Sequence, residues 1–246
     1  MRNKYLVFIY SSFNEFISRI RTKSNTQKRS PIPTSPTTTT APTANIPNTK
    51  PLFLCQPFVK AALVKGSFKT IVVLPKHVDV NEWVAINLFD FFHNLNSFYG
   101  VISETVTIES NPTMSAGHNF DYTWIDQSRK LVKLPAPTYI DYVMVWVQSL
   151  LNDESVFPTK QGNYFPPTFP SSAKHLYKQL FRVFAHLYWS HFTSFVHLSL
   201  EGHLNSLFAH FVAFGREFDL IDQRDVVGSG VGELMKVWRD QGTLDL

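Results

Sequence analysis

From residue 52 onward, large apolar side chains recur every three or four positions, the spacing that puts them on one face of an α-helix. Trp83, Ile86, Asn87, Asp90, Phe91, Asn94, Leu95 and Phe98 set an apolar stripe beside a polar one, predicting a helix over about 79–98. Asp79 supplies the N-cap, and Glu82 three residues later completes a capping-box-like start. A loop over 103–121, punctuated by Pro112 and Gly117, leads to Tyr122-Thr123-Trp124 and Leu131-Val132-Lys133-Leu134, which read as a small hairpin. Tyr139 to Asn152 is a second helix, with Tyr139, Tyr142, Val143, Trp146 and Leu150 as its buried face. Prolines 158, 166, 167 and 170 enforce an extended connection, because proline lacks the amide that helix and ladder need. Ser171 or Ser172 then caps a long helix to about Ser199, and another runs from Glu201 through Phe218. The stretch Val226-Val227-Gly228-Ser229-Gly230-Val231-Gly232 reads as a flexible joint before a short helix near Glu233 to Trp238. The fold class is all-α, a helical bundle with a small β-hairpin, occupying 52–246.

The first fifty residues follow other rules. Residues 23–51 are dominated by Ser, Thr, Pro, Asn and Lys, a composition that cannot offset its own ordering entropy, and read as a disordered linker. Ser30 and Ser35 each precede proline and so are formal proline-directed phosphorylation sites. In residues 1–22, Leu6, Ile9, Tyr10, Phe13, Phe16, Ile17 and Ile20 fall at helical spacing, flanked by Arg2, Lys4, Arg19 and Arg21. That pattern suits an amphipathic helix on an anionic membrane or in a partner groove. It is not a signal peptide: the apolar run is short, Glu15 and Arg19 follow closely, and no small-residue cleavage site appears.

Charge sharpens the division. Residues 1–50 hold eight basic side chains against Glu15, a net +7, so the chain total of +4 leaves −3 for residues 51–246. The pI near 9.1 therefore does not describe a basic nucleic-acid-binding body. A mildly acidic body is complementary to a basic peptide or domain. The 22 Phe and 5 Trp supply the core, and the single Cys55 excludes an internal disulfide or a multi-cysteine metal site. That cysteine usage is expected of a reducing compartment. No Gly-rich phosphate loop, nucleophile elbow or paired-histidine metalloprotease helix occurs.

Many spaced motifs carry a resemblance. Leu74-Pro75, Asn81-Glu82-Trp83-Val84-Ala85, Asp90-Phe91-Phe92, Phe98-Tyr99-Gly100, Met114-Ser115-Ala116-Gly117 and Asp121-Tyr122-Thr123-Trp124 come first. Pro135-Ala136-Pro137-Thr138-Tyr139-Ile140-Asp141-Tyr142, Phe157-Pro158-Thr159-Lys160 and Glu217-Phe218-Asp219-Leu220-Ile221-Asp222 complete the set. Over about residues 52–225 the chain resembles the Mob/phocein family of kinase co-activators, and the lead-in from Gln56 to Val72 looks like the class-II branch of fungi, which partners NDR-type kinases.

That resemblance marks three constellations. Family members bind zinc with two histidines and two thiolates; here the histidines are His186 and His191, but Val106 and Asn111 stand at the thiolate positions. Two good ligands fall short of the four of a structural site, so no zinc is expected, and packing with hydrogen bonds should hold the loop. The five-residue spacing puts the histidines about 140° apart on an ideal helix, so they meet only if the helix ends or distorts between them. Relatives that read phosphopeptides carry Lys-Arg and a further Arg where this chain has Lys178, Gln179 and Arg182, a degenerate version. With Lys174, the cations Lys178 and Arg182 share one helical face, whose plainer reading is a solvated stripe with Arg182 paired to a buried carboxylate.

The third constellation is for a kinase. The resemblance implies that Asp79, Glu82, Trp83 and Asp90, with Phe58, Val59, Leu63 and Phe68 of the preceding arm, receive the basic N-terminal extension of an NDR-type kinase. The arm residues could equally fold back on the bundle. The expected role is a non-catalytic activating subunit supporting cell polarity and morphogenesis, in cytoplasm and nucleus with enrichment at sites of polarised growth or division. A phocein-like scaffold in membrane-associated assemblies is the second reading, and a metal-dependent hydrolase a distant third.

Overall fold

The computed structural model describes residues 50–62, 67–158 and 162–244. The amphipathic stretch 1–22, Ser30, Ser35, most of the linker and Leu63 lie outside the described residues. Two 3₁₀ turns, Leu52–Leu54 and Phe58–Lys60, precede a one-turn helix α1 (Lys69–Val72) and the long α2 (Val80–Ile102). A 3₁₀ turn at Ser103–Thr105 leads to two hairpins, β1 (Met114–Gly117) with β2 (Phe120–Tyr122), and β3 (Trp124–Ile125) with β4 (Leu131–Val132). Helices α3 (Ala136–Leu151), α4 (Phe169–His197), α5 (Glu201–Glu217), α6 (Gln223–Val226) and α7 (Gly230–Asp240) complete the chain.

The all-α bundle is therefore present, with α4 at its centre against α2, α3, α5, α7 and β1. The reason lies in α4 itself, where Leu176, Leu180, Phe184, Leu187 and Tyr188 are fully buried and the apolar face is nearly continuous around the helix. Its aromatics meet those of α5: Phe184 lies 4.9 Å from Phe211, and the Tyr177 ring stacks on Phe211 at 4.0 Å.

Several boundaries differ from the sequence reading, each for a local reason. The expected hairpin forms, with Trp124 opposite Val132, but the segment read as a plain loop contains a second one, Met114 opposite Tyr122. Pro170 does not prolong the extended connection; it sits in the first turn of α4, where its missing amide costs nothing. Thr168 occupies the N-cap position, and Ser171 Oγ donates back to the Thr168 carbonyl at 2.7 Å, so neither serine is the cap. In α3 the buried side is Tyr139, Ile140, Val143, Met144, Val147 and Leu151, while Tyr142 is exposed, which rotates the buried face from the one expected.

The glycine-rich stretch before α7 is no flexible joint. Gly228, at φ +89°, packs against the Phe120 ring, and Gly230 lies so close to Trp189 that a β-carbon there would sit 2.5 Å from the indole. Trp238 of α7 is buried and donates from Nε1 to the Val59 carbonyl at 2.9 Å, joining the end of the chain to the first arm.

Candidate protein-binding face

The N-terminus of α2 is built by Asp79, whose Oδ1 accepts from the amides of Asn81 at 2.8 Å and Glu82 at 3.2 Å. This cap fixes where α2 begins and leaves the Glu82 carboxylate in solvent. One face of the helix then carries Glu82, Ile86 and Phe89 at positions i, i+4 and i+7. Ile86 and Phe89 are 43% and 45% exposed, a large apolar surface for one side of a bundle helix.

These residues form one wall of a cleft of about 510 Å³. Ala85 continues that wall, Leu151 of α3 closes one end, and Phe157, Pro158 and Phe165 form the other side. Phe157 and Phe165 are held by Phe169 at the start of α4, with ring centroids 5.3 and 4.4 Å away. The cleft is thus lined by apolar side chains from both sides, with Glu82, Gly162 and Asn163 supplying a polar share of its wall. Such a surface accepts an amphipathic segment whose apolar side chains enter while a cation meets the carboxylate.

Other expected contact residues have different places. Trp83 is buried; its Nε1 donates to the Val72 carbonyl at 3.2 Å and ties α1 to α2. Phe68 is buried and stacks on His210, and Val59 is buried beneath α7. Phe58 is half-buried, edge-on to Phe192 at 6.2 Å. The arm is strapped down by Asn205, whose Nδ2 donates to the carbonyls of Phe58 at 2.9 Å and Ala61 at 2.6 Å while Tyr188 donates to its Oδ1 at 2.8 Å. These arm residues fold back on the bundle and present little surface to a partner. Asp90 is half-buried one position beyond Phe89.

Ile86, part of the apolar stripe that the sequence predicts, is exposed, and Phe89, Phe157, Pro158 and Phe165 are lining residues that the sequence does not mark. The available signal was the 82–86–89 spacing, which lies off the face marked by Asn87, Phe91 and Phe98. The other wall comes from residues about seventy positions later, and no local pattern joins the two.

The basic run on α4 is occupied from within. Lys174 pairs with Asp219 at 2.9 Å, and Lys178 with Asp222 at 3.3 Å and Asp225 at 3.1 Å. Arg182 bonds Asp225 Oδ1 through Nε at 3.0 Å and Nη2 at 2.8 Å, donates to Tyr139 Oη and the Thr123 carbonyl, and lies over the Tyr122 ring. Burial opposes the charge of Arg182, but Tyr139 and Asp225 more than compensate and hold its pKa above the ordinary value. Gln179 is buried, its Oε1 accepting from Tyr139 Oη at 2.9 Å, so it does not line an anion-reading surface as the sequence comparison implied. Asp222 is held well below the usual carboxylate range by hydrogen bonds from Arg224, with Lys178 adding to them.

His186 and His191 do meet, contrary to the helical-wheel expectation: their ring centroids are 5.3 Å apart although α4 runs unbroken through both. Side-chain torsions swing the rings along the helix surface, which the wheel angle ignores. His186 Nδ1 is 2.7 Å from the Ser115 carbonyl, which makes that nitrogen the donor, and Nε2 of each ring is buried without a hydrogen-bond partner. Burial lowers both pKa values to about 4, with the neighbouring His186 adding to the effect at His191. The two orphaned nitrogens are fit to face a metal, but Val106 offers no ligand and Asn111 only a neutral amide. Among the described residues no group of three or more His, Cys, Asp or Glu is placed to hold a metal. The loop is fastened by other bonds: Thr107 and Ser110 exchange amide–hydroxyl bonds at 3.1 Å, and the Asn111 carbonyl accepts from Ala136 N at 3.0 Å.

Comparison with known proteins now decides the family, since the sequence profile of the Mob1/phocein family matches residues 60–228. The chain belongs to the Mob1/phocein family. It is 54% identical over 199 residues to the CBK1 kinase activator protein MOB2 of Candida albicans, covering 81% of this chain and 62% of that protein. The maintenance of ploidy protein mob2 of Schizosaccharomyces pombe is 52% identical over 193 residues, 78% of each chain. MOB kinase activator 2 of Mus musculus is 46% identical over 176 residues, 72% of this chain and 74% of the mouse protein. The chain spans less than two thirds of the length of the Candida albicans protein and of the Saccharomyces cerevisiae CBK1 kinase activator protein MOB2, at 62% and 61%.

Proposed function

We propose that this Mob1/phocein protein is a non-catalytic activating subunit of an NDR-type serine/threonine kinase, with the α2 cleft as the seat for the kinase's basic N-terminal extension. The carrying observation is the placement of exposed Glu82 at the edge of a cleft walled by Ile86, Phe89, Phe157 and Phe165. Relatives named as kinase activators support the reading. Docking orders the extension and favours the kinase's active arrangement, a coupling of binding to a conformational equilibrium with no reaction on this chain. The biological setting proposed is polarised growth and morphogenesis, in cytoplasm and nucleus.

The test is a binding titration of the purified chain against the kinase's N-terminal extension, alongside kinase turnover. Glu82→Lys should weaken binding at least tenfold by meeting the basic segment with like charge, and Ile86→Asp should do the same by wetting the cleft. A chain that neither binds the extension nor raises turnover would overturn the proposal.

A further inference from the structure

The β3–β4 hairpin has two unlike faces. Trp124 turns inward, its ring 5.3 Å from Tyr139 and 5.6 Å from Tyr142, so the hairpin is seated on α3. Because side chains alternate along a strand, the next residue, Ile125, turns outward, and its cross-strand partner Leu131 lies on the same side. They are 61% and 70% exposed. Single exposed aliphatics are ordinary, but a directly paired couple at the tip of a hairpin is a continuous apolar spot.

Cations surround that spot. Arg129 and Lys130 are exposed in the connecting turn, and Lys133 follows just past the end of β4. Lys133 is 63% exposed while bonded to Asp121 at 2.8 Å. The turn's own acid, Asp126, accepts the Lys130 amide at 2.8 Å through its carboxylate. Arg129 holds φ +60°, the left-handed conformation of a tight hairpin turn.

The geometry points to this outer face as a contact for an anionic phospholipid surface. Ile125 and Leu131 enter the headgroup boundary, while Arg129 and Lys130 meet the lipid phosphates and carboxylates. A protein surface could offer acids too, but an isolated pair of aliphatics without a cleft gives a partner's side chain no pocket to fill. The contact is weak and local, because the body around it is slightly acidic. None of these hairpin residues lines the α2 cleft.

The experiment is sedimentation of the full chain with vesicles of phosphatidylserine and phosphatidylcholine, and with phosphatidylcholine alone. The full chain should bind the anionic vesicles, with binding falling as salt is raised. The double variant Ile125→Asp, Leu131→Asp should lower the bound fraction at least fivefold, and Arg129→Glu with Lys130→Glu should do likewise, with unchanged melting temperatures because all four side chains are exposed. Failure of the full chain to bind anionic vesicles overturns the inference. So does full binding by both variants, which would assign the membrane contact to residues 1–22, and so does loss of kinase binding with vesicle binding intact, which would make the hairpin a protein contact.

Discussion

Gly117 and Gly228 pass so closely that a β-carbon on Gly117 would lie 2.4 Å from the Gly228 carbonyl oxygen and 3.3 Å from the Gly230 amide nitrogen. The obstacle is backbone, which cannot swing aside as a side-chain tip can. Gly117→Ala is therefore expected to part β1 from the turn before α7 and cost about 2–3 kcal/mol, as overpacking does. Urea unfolding of the variant checks it, and a loss near zero would mean that the C-terminal segment can lift away freely.

Arg182 and Asp225 are 16% and 7% exposed at the side chain, a pair largely removed from water. Asp225→Ala leaves a buried guanidinium with only neutral partners, and about 3 kcal/mol of stability should be lost. Arg182→Lys should not preserve the contact, since an ammonium cannot serve Asp225, Tyr139 and the Thr123 carbonyl from one plane. A double-mutant cycle on the two positions reads the coupling directly.

Restoring two thiolates should give the buried histidine nitrogens a function. The double substitution Val106→Cys, Asn111→Cys is expected to bind one zinc by native mass spectrometry and to raise the melting temperature. Absence of zinc in a folded double variant would show that these positions do not face His186 and His191.

Stability should also depend on acid through His210. Its ring lies 4.8 Å from Phe91, and burial lowers its pKa from 6.5 to about 3. Folding therefore favours the neutral ring, and the stability tied to it is complete above pH 6.5 and lost as pH falls from there toward 3. Denaturant unfolding at a series of pH values should show His210→Phe with a shallower slope in that window. The remaining slope is shared by His175, His186, His191 and His203, whose pKa values burial also lowers, and, toward its acid end, by Asp121 and Asp222, whose hydrogen-bonded carboxylates must be protonated.

The long helices were legible because each repeats its apolar period many times: α2 begins at the cap its Asp79 predicts, and α5 nearly matches its expected limits. Short elements were not. The strands Met114–Gly117 and Phe120–Tyr122 hold too few residues for alternation to stand out, and a bulge at Ser115/Gly117 breaks what little there is. In the candidate site, Glu82 was visible as an acid near a helix start, but its apolar neighbours Phe157 and Phe165 arrive only through the tertiary path around α3. Trp83, Val59 and Phe68 look the same in sequence whether they face a partner or the interior, and only packing separates the two cases.

The bond from the Trp238 indole to the Val59 carbonyl spans 179 positions of chain. Val59 belongs to the arm that Asn205 also restrains, so one fastening is lost if the polypeptide is shortened before Trp238. Trimming the carboxyl end would then loosen the opposite end first, and proteolysis near residue 60 would report damage done beyond residue 230.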